Sequence, residues 1–305
     1  MRRVIVTLLI AAVMAVSGCG LDNADSSAVS NAPSTEATAC TTTNVSDTSM
    51  DTEATTAQQS FSYEYGVFLS YEDELDKLND YHTVVIDAQY YSKESIERFR
   101  SRGHKVLSYI NIGALEDFRS YYNKYSNLGL GRYENWDEEI WIDVSDPRWQ
   151  EFMINEMIPE LAGKGIDGFF VDNCDVYYNY PEDKILDGLT SIMKAMRQTV
   201  SSVIINGGDT YLDAYLSSGG SWDDVITGIN QENVFAAIIW DKKEFGRADP
   251  EDHEYFMSYV ERYADKGADI YLLEYTKDEE LISEIAEYCR AKGFDCYVSD
   301  SIELD

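Results

Sequence analysis

Two acids stand where a purely structural strand would not put them. Asp172 closes the apolar run Gly168-Phe169-Phe170-Val171-Asp172, and Glu232 stands in Asn230-Gln231-Glu232-Asn233. Side chains alternate along an extended chain, so Asp172 shares a face with Gly168 and Phe170, while Phe169 and Val171 face the other way. A carboxylate set among apolar residues is partly desolvated. Its pKa rises toward the range of a proton donor unless neighbouring donors hold it ionised for nucleophilic work. Two such groups flanking a glycosidic bond can hydrolyse it, one protonating the leaving oxygen and the other stabilising or attacking the oxocarbenium-like centre. Other chemistries lack their parts. His82, His104 and His253 fall at a pre-strand turn, beside a helix end and within a helix, where each is expected at the surface. None closes a strand, which argues against a His-based triad or a His-rich zinc site. Cys174 has no histidine placed to act as its base. The five cysteines show no metal-ligand spacing, and neither metal nor organic cofactor is expected.

The elements that must position these acids alternate short β-branched or apolar runs with amphipathic helical segments. Strands are expected over Tyr63–Tyr71, Val84–Tyr91, Lys105–Gly113, Asp167–Asp175, Val203–Asp209, Asp224–Val234, Asp269–Tyr275 and Asp295–Asp300. Helices are expected over Glu72–Asn79, Lys93–Arg102, Pro147–Lys164, Lys184–Val200, Tyr211–Ser217, Glu251–Lys266 and Asp278–Lys292, several ending in basic residues and then glycine. Eight strands with helical crossovers predict one α/β domain, a (β/α)8 TIM barrel over residues 61–305. The alternative is an open doubly wound sheet, which the lack of GxGxxG after the first strand disfavours. The short run Glu139–Val144 reads as an inserted hairpin or an extra edge segment.

In a barrel the substrate face lies at the C-terminal ends of the strands. Those ends carry Asp87 and Gln89, Asn111, then Asp172, Asn173 and Asp175, then Asn206 and Asp209, then Asn230, Gln231 and Glu232, with Glu274 on the seventh and Asp300 on the eighth. Turn preference accounts for Asp209 or Asp300 but not for acids embedded in apolar strand. Glu274 rivals Glu232 as the partner of Asp172. Tyr90, Tyr91, Tyr121, Tyr122, Tyr125, Tyr177, Tyr178, Tyr180 and Trp240 follow strand ends and can stack on sugar rings.

The segment Val106-Leu107-Ser108-Tyr109-Ile110-Asn111-Ile112-Gly113 with Glu116 and Arg119, then Trp141-Ile142-Asp143-Val144, then the run from Lys164 to Asp175, resembles glycoside hydrolase family 114. That is the endo-α-1,4-polygalactosaminidase family of barrel enzymes, and the similarity runs from Tyr65 to Asp300. The resemblance implies a catalytic pair at Asp172 and Glu232, and a sugar site lined or braced by Asp87, Glu116, Arg119, Asn173 and Asp175. Arg119 and Glu116 equally suit a structural pair on their loop. Asn111, Tyr177, Asn206, Gln231 and Glu274 complete the expected substrate-binding set. The implied substrate is a galactosamine-rich polymer bearing positive charge. A non-catalytic carbohydrate-binding barrel and a hydrolase of another glycan remain alternatives.

The rest of the chain concerns address and charge. Residues 1–18 read as an export signal, with Arg2 and Arg3 ahead of the apolar stretch Val4–Val16, and Val16-Ser17-Gly18-Cys19 resembles a bacterial lipobox. Cys19 is therefore the expected lipidation site, holding the protein to the outer face of the cytoplasmic membrane or elsewhere in the cell envelope. Residues 19–60, rich in Ser, Thr, Ala and Asp, cannot bury enough surface to fold and are expected to form a tether. Loss of Arg2 and Arg3 with the signal leaves 22 basic against 56 acidic side chains, a formal charge of −34. Nucleic acid is excluded as a partner on that balance, whereas a cationic polymer is drawn toward it. Cys289 and Cys296 lie close enough in sequence to pair as a disulfide or to remain two free thiols.

Overall fold

The computed structural model describes residues 61–71, 74–133 and 136–304. The signal, Cys19 and the tether lie outside the described residues. Eight parallel strands form one sheet: β1 Tyr63–Phe68, β2 Tyr81–Ile86, β3 Lys105–Asn111, β4 Gly168–Asp172, β5 Ser202–Asn206, β6 Gly228–Glu232, β7 Asp269–Tyr275 and β8 Asp295–Ser299. They are hydrogen-bonded in chain order. β8 returns beside β1, where Ser70 N–H reaches Leu304 O at 3.2 Å, so the sheet curls into the expected barrel.

Both faces of β3 to β7 are buried along nearly their whole length, as a barrel clad in helices requires, whereas β8 is half-buried. Val67, Val85, Leu107, Phe170, Ile204 and Leu273 fill the lumen. Val84, Val106, Phe169, Val171, Val203, Ile229 and Leu272 pack outward against the helices. Those helices are α1 Lys93–Arg100, α2 Pro147–Phe152, α3 Ile158–Gly163, α4 Asp183–Thr199, α5 Asp209–Ser217, α6 Pro250–Ala264 and α7 Glu279–Lys292. Asp146, Asp249 and Asp278 cap α2, α6 and α7 by accepting from backbone N–H groups of the first turn.

Several expectations are corrected in detail. The helix expected over Glu72–Asn79 is a 3₁₀ turn at Leu75–Leu78. β2 starts at Tyr81 and ends at Ile86, because the Asp87 carboxylate accepts from Gln89 N–H and turns the chain into a 3₁₀ segment. The single helix expected over Pro147–Lys164 is split into α2 and α3 by a π-helical turn at Met153–Met157. Pro159, which has no N–H to donate, follows directly. His104 is buried and not at the surface: its ring stacks on Phe99 at 3.8 Å and bonds Tyr81 O at 2.7 Å. His253 is half-buried and donates from Nδ1 to Val234 O at 2.8 Å. Cys289 and Cys296 are free thiols.

Two insertions rise from the C-terminal ends of the strands. After β3, Ala114–Glu116, Glu139–Ile142 and Gly129–Arg132 form a three-stranded antiparallel sheet in which Glu116 stands directly opposite Glu139. After β6, Ala236–Ile239 pairs with Glu244–Arg247 as a hairpin. Trp136 and Trp240, one from each insertion, meet edge to face at 5.2 Å.

Candidate active site

β4 and β6 each end in a carboxylate followed by an asparagine in the left-handed region, Asn173 at φ 65° and Asn233 at φ 56°. Asparagine tolerates that region better than branched or bulky residues do. The chain therefore leaves each strand sharply, and Asp172 and Glu232 stay on its last rung. Gly113 has a matching cause: a Cβ there would stand 1.8 Å from Asn173 O, so the loop after β3 can cross the Asp172 turn only as glycine.

The two acids share one partner. Asn206 Nδ2, at the end of β5 between them, donates to Asp172 Oδ1 at 3.1 Å and to Glu232 Oε1 at 2.6 Å. Those bonds laid end to end cap the separation of the two oxygens at 5.7 Å. The amide cannot flip, because its Oδ1 accepts from Asn230 Nδ2 at 2.7 Å, and Asn230 Oδ1 in turn accepts from Tyr65 Oη at 3.1 Å. Asp172 accepts further bonds from its neighbour's backbone, Asn173 N–H at 3.0 Å, and from Tyr109 Oη at 3.1 Å. Glu232 accepts one more, from Tyr275 Oη at 3.0 Å. Burial and the nearby carboxylates keep both phenols protonated.

These environments raise both acids. Burial lifts the Asp172 carboxyl to about 7, against the pull of its three donors. Burial and then the charge of Asp172 hold Glu232 well above the carboxylate range, with two donors opposing. Glu139 is likewise held high by burial and by Glu116 and Asp172, although Asn111 donates to it at 3.3 Å. The loop after β3 adds a brace. Arg119, fully buried, gives Nη1 to Asp87 at 2.5 Å and binds Glu116 through Nε and Nη2 at 3.0 and 2.8 Å. With its guanidinium so engaged, Arg119 is a buried link between Asp87 and Glu116.

The other expected residues divide. Asn173 is buried and accepts from Tyr133 Oη at 3.2 Å, while Asp175 lies beside Gly207 with its pKa raised by burial and Asp209. Gln231 is buried one residue before Glu232 and donates to the Glu232 carbonyl. Tyr177 is half-buried, packed against the outer core. Glu274 is the clear correction. It points away from the lumen, and its oxygens are taken by the backbone N–H groups of Val234, Phe235 and Ala236, so it is neither a partner for Asp172 nor a sugar ligand. Among the aromatic residues, Tyr125 and Tyr91 are core, whereas Tyr90 and Tyr178 are exposed. Four site groups were not expected at all: Tyr109, Tyr275, Tyr133 and Glu139. The two-residue period that placed Asp172 would have found Tyr109, which shares a face with Asn111. Beside the mouth, a cleft of about 1050 Å³ runs between Trp136, Glu138, Ile238, Trp240, Phe245, Thr276, Asp300 and Glu303.

Residues 41–304 match the sequence model of the glycoside-hydrolase family GH114. The chain belongs to that family. The curated relatives are distant. An uncharacterized protein of Deinococcus radiodurans is 22% identical over 220 residues, 67% of this chain and 66% of its own length. Uncharacterized protein MJ1477 of Methanocaldococcus jannaschii is 22% identical over 240 residues, 70% of this chain and 67% of its own length. The chain thus spans about two thirds of the curated relatives it matches. Among solved structures, the glycoside hydrolase domain of PelA from Pseudomonas aeruginosa superposes with a TM-score of 0.67 at 16% identity, covering 79% of this chain and 96% of that one. Aspergillus fumigatus Ega3, in complex with galactosamine, gives 0.63 at 16% identity over 83% of this chain and 96% of that one. At such identities the likeness bears on the fold, the same barrel on which this GH114 member carries its carboxylates.

Proposed function

We propose that this GH114 member hydrolyses α-linked amino-sugar polymers within the chain, an endo-α-1,4-polygalactosaminidase acting outside the cell from a lipid anchor on Cys19. The observation that carries the chemistry is the Asn206 amide, which tethers Asp172 and Glu232 within 5.7 Å. The bound on that one oxygen pair is compatible with the roughly 5 Å carboxyl separation of retaining glycosidases, and the retaining route is the one we adopt. Asp172, with three donors holding its charged form, attacks the anomeric carbon. Glu232, raised by burial and by the charge of Asp172 and held by only two donors, gives its proton to the departing glycosidic oxygen and later takes one from the water that cleaves the glycosyl–Asp172 ester. The charge balance supports an aminated substrate. Asp87, Glu116, Glu139, Asp172 and Glu232 are all buried, and Arg119 is the buried guanidinium among them. Glu139, opposite Glu116 and held above the carboxylate range by burial and then by Glu116 and Asp172, is an acid whose ionisation a neighbouring sugar ammonium would favour. The galactosamine of the Ega3 complex is a ligand of that chemistry.

The test is incubation with an α-1,4-linked galactosamine polymer. New reducing ends should appear, the first-formed product should carry the α-anomer by NMR, and Asp172→Asn and Glu232→Gln should show neither. A β-anomer formed first overturns the retaining assignment. Absence of new reducing ends in the wild type, with binding intact, overturns the hydrolase.

A further inference from the structure

The end of β7 grips the end of β6 from both sides. Glu274 and Tyr275 are consecutive, so they face opposite ways. On the lumen side, Tyr275 Oη donates to Glu232 Oε2 at 3.0 Å. On the outer side, Glu274 takes three consecutive backbone N–H groups: Val234 on Oε1 at 2.9 Å, Phe235 on Oε1 at 3.0 Å and Oε2 at 3.2 Å, and Ala236 on Oε2 at 2.8 Å. Successive amides closing on one carboxylate form an anion nest, which satisfies a fully buried acid without a cation. The nest begins two residues after Glu232, across the left-handed Asn233, whose own N–H bonds Leu273 O at 3.0 Å. The turn is held from a third direction by His253, bonded to Val234 O.

We infer that Glu274 and Tyr275 are paired positioning residues, Glu274 fixing the backbone behind Glu232 while Tyr275 fixes its carboxylate. The inference rests on the reading of Glu232 as a catalytic acid. A neutral or apolar residue at 274 would have filled the same outer space with less desolvation, so an acid there is explained by the three amides it holds. The chemistry makes that worthwhile, since a misplacement of about 1 Å at a reacting group costs on the order of 10²-fold in rate.

The experiment compares Glu274→Gln, Glu274→Asp and Glu232→Gln on the galactosamine polymer, with thermal melting and amide hydrogen exchange on each. Glutamine offers one acceptor oxygen and turns an NH2 toward backbone donors. For Glu274→Gln we expect a folded protein, kcat lower by about 10–100-fold, KM within about twofold, and faster exchange at Val234, Phe235 and Ala236 but not at Ile204–Asn206. Glu274→Asp, which restores the charge on a shorter arm, should recover part of kcat. A wild-type kcat in Glu274→Gln beside a dead Glu232→Gln overturns this inference alone. Full turnover in Glu232→Gln overturns the catalytic reading beneath it. Should Glu274→Gln not fold, Glu274→Asp decides: wild-type kcat with altered exchange at the turn, or kcat lost only in proportion to the folded fraction, reduces Glu274 to a structural role.

Discussion

A buried acid whose pKa is raised is stored destabilisation, and Asp172 carries it where the chemistry would use it. Its carboxyl sits at about 7 in the folded protein against about 4 in an unfolded chain. Between those values the folded state holds a proton that the unfolded state has released, so stability falls as pH climbs from about 4 to about 7 and then levels. The Asp172→Asn variant keeps an oxygen for Asn206 and Asn173 and removes the charge. It should melt higher than the wild type at pH 8, by on the order of 5 °C, and no higher at pH 4. Turnover should fall by at least about 10³-fold. Melting curves at the two pH values check the claim, and a variant destabilised equally at both would show that Asp172 is structural.

The strands position the acids, but the two insertions shape what reaches them. Trp136 and Trp240 come from the sheet after β3 and the hairpin after β6, and line together a cleft whose lining includes neither Asp172 nor Glu232. Trp240→Ala should therefore raise KM for a galactosamine oligomer by about tenfold, the ~1.4 kcal/mol of one lost ring contact, with kcat unchanged. Steady-state rates across oligomer lengths measure it, and a fall in kcat alone would place Trp240 in the chemistry. The barrel strands and Asp172 were legible because Asp172 closes its apolar run, at the C-terminal rim where the substrate face of a barrel lies. Glu274 was not: Leu272 and Leu273 make both rows of β7 apolar, and only its pairing with β6 and β8 tells inside from outside. The bonds of Tyr109 and Tyr275 to the two acids were not legible, because a strand sequence does not reveal whether a phenol finds a carboxylate. Glu139 was hidden for a third reason. It joins the site through antiparallel pairing with Glu116, 23 positions earlier in the chain, a contact that no local periodicity signals.

At the scale of the whole molecule the charge does what no single residue does. The chain carries 56 acidic against 24 basic side chains, and exposed carboxylates such as Asp137, Asp241 and Glu244 line the cleft beside the mouth. A field of that sign raises the local concentration of a polycation and orients its approach, while leaving the bond-breaking step to groups buried below. The two effects separate with salt. At 0.5 M ionic strength the screening length is only about 4 Å, so the long-range attraction is lost while the buried bonds around Asn206 persist. On a fully deacetylated galactosamine polymer, kcat/KM should drop by at least about tenfold between 20 mM and 500 mM sodium chloride, with kcat nearly constant. On an N-acetylated polymer of the same length, neither constant should move. Initial rates at low and saturating polymer resolve the two. A kcat/KM indifferent to salt on the deacetylated polymer would mean that the acidic surface serves solubility alone, and that recognition of the amine is confined to Glu116, Glu139 and the acids they adjoin.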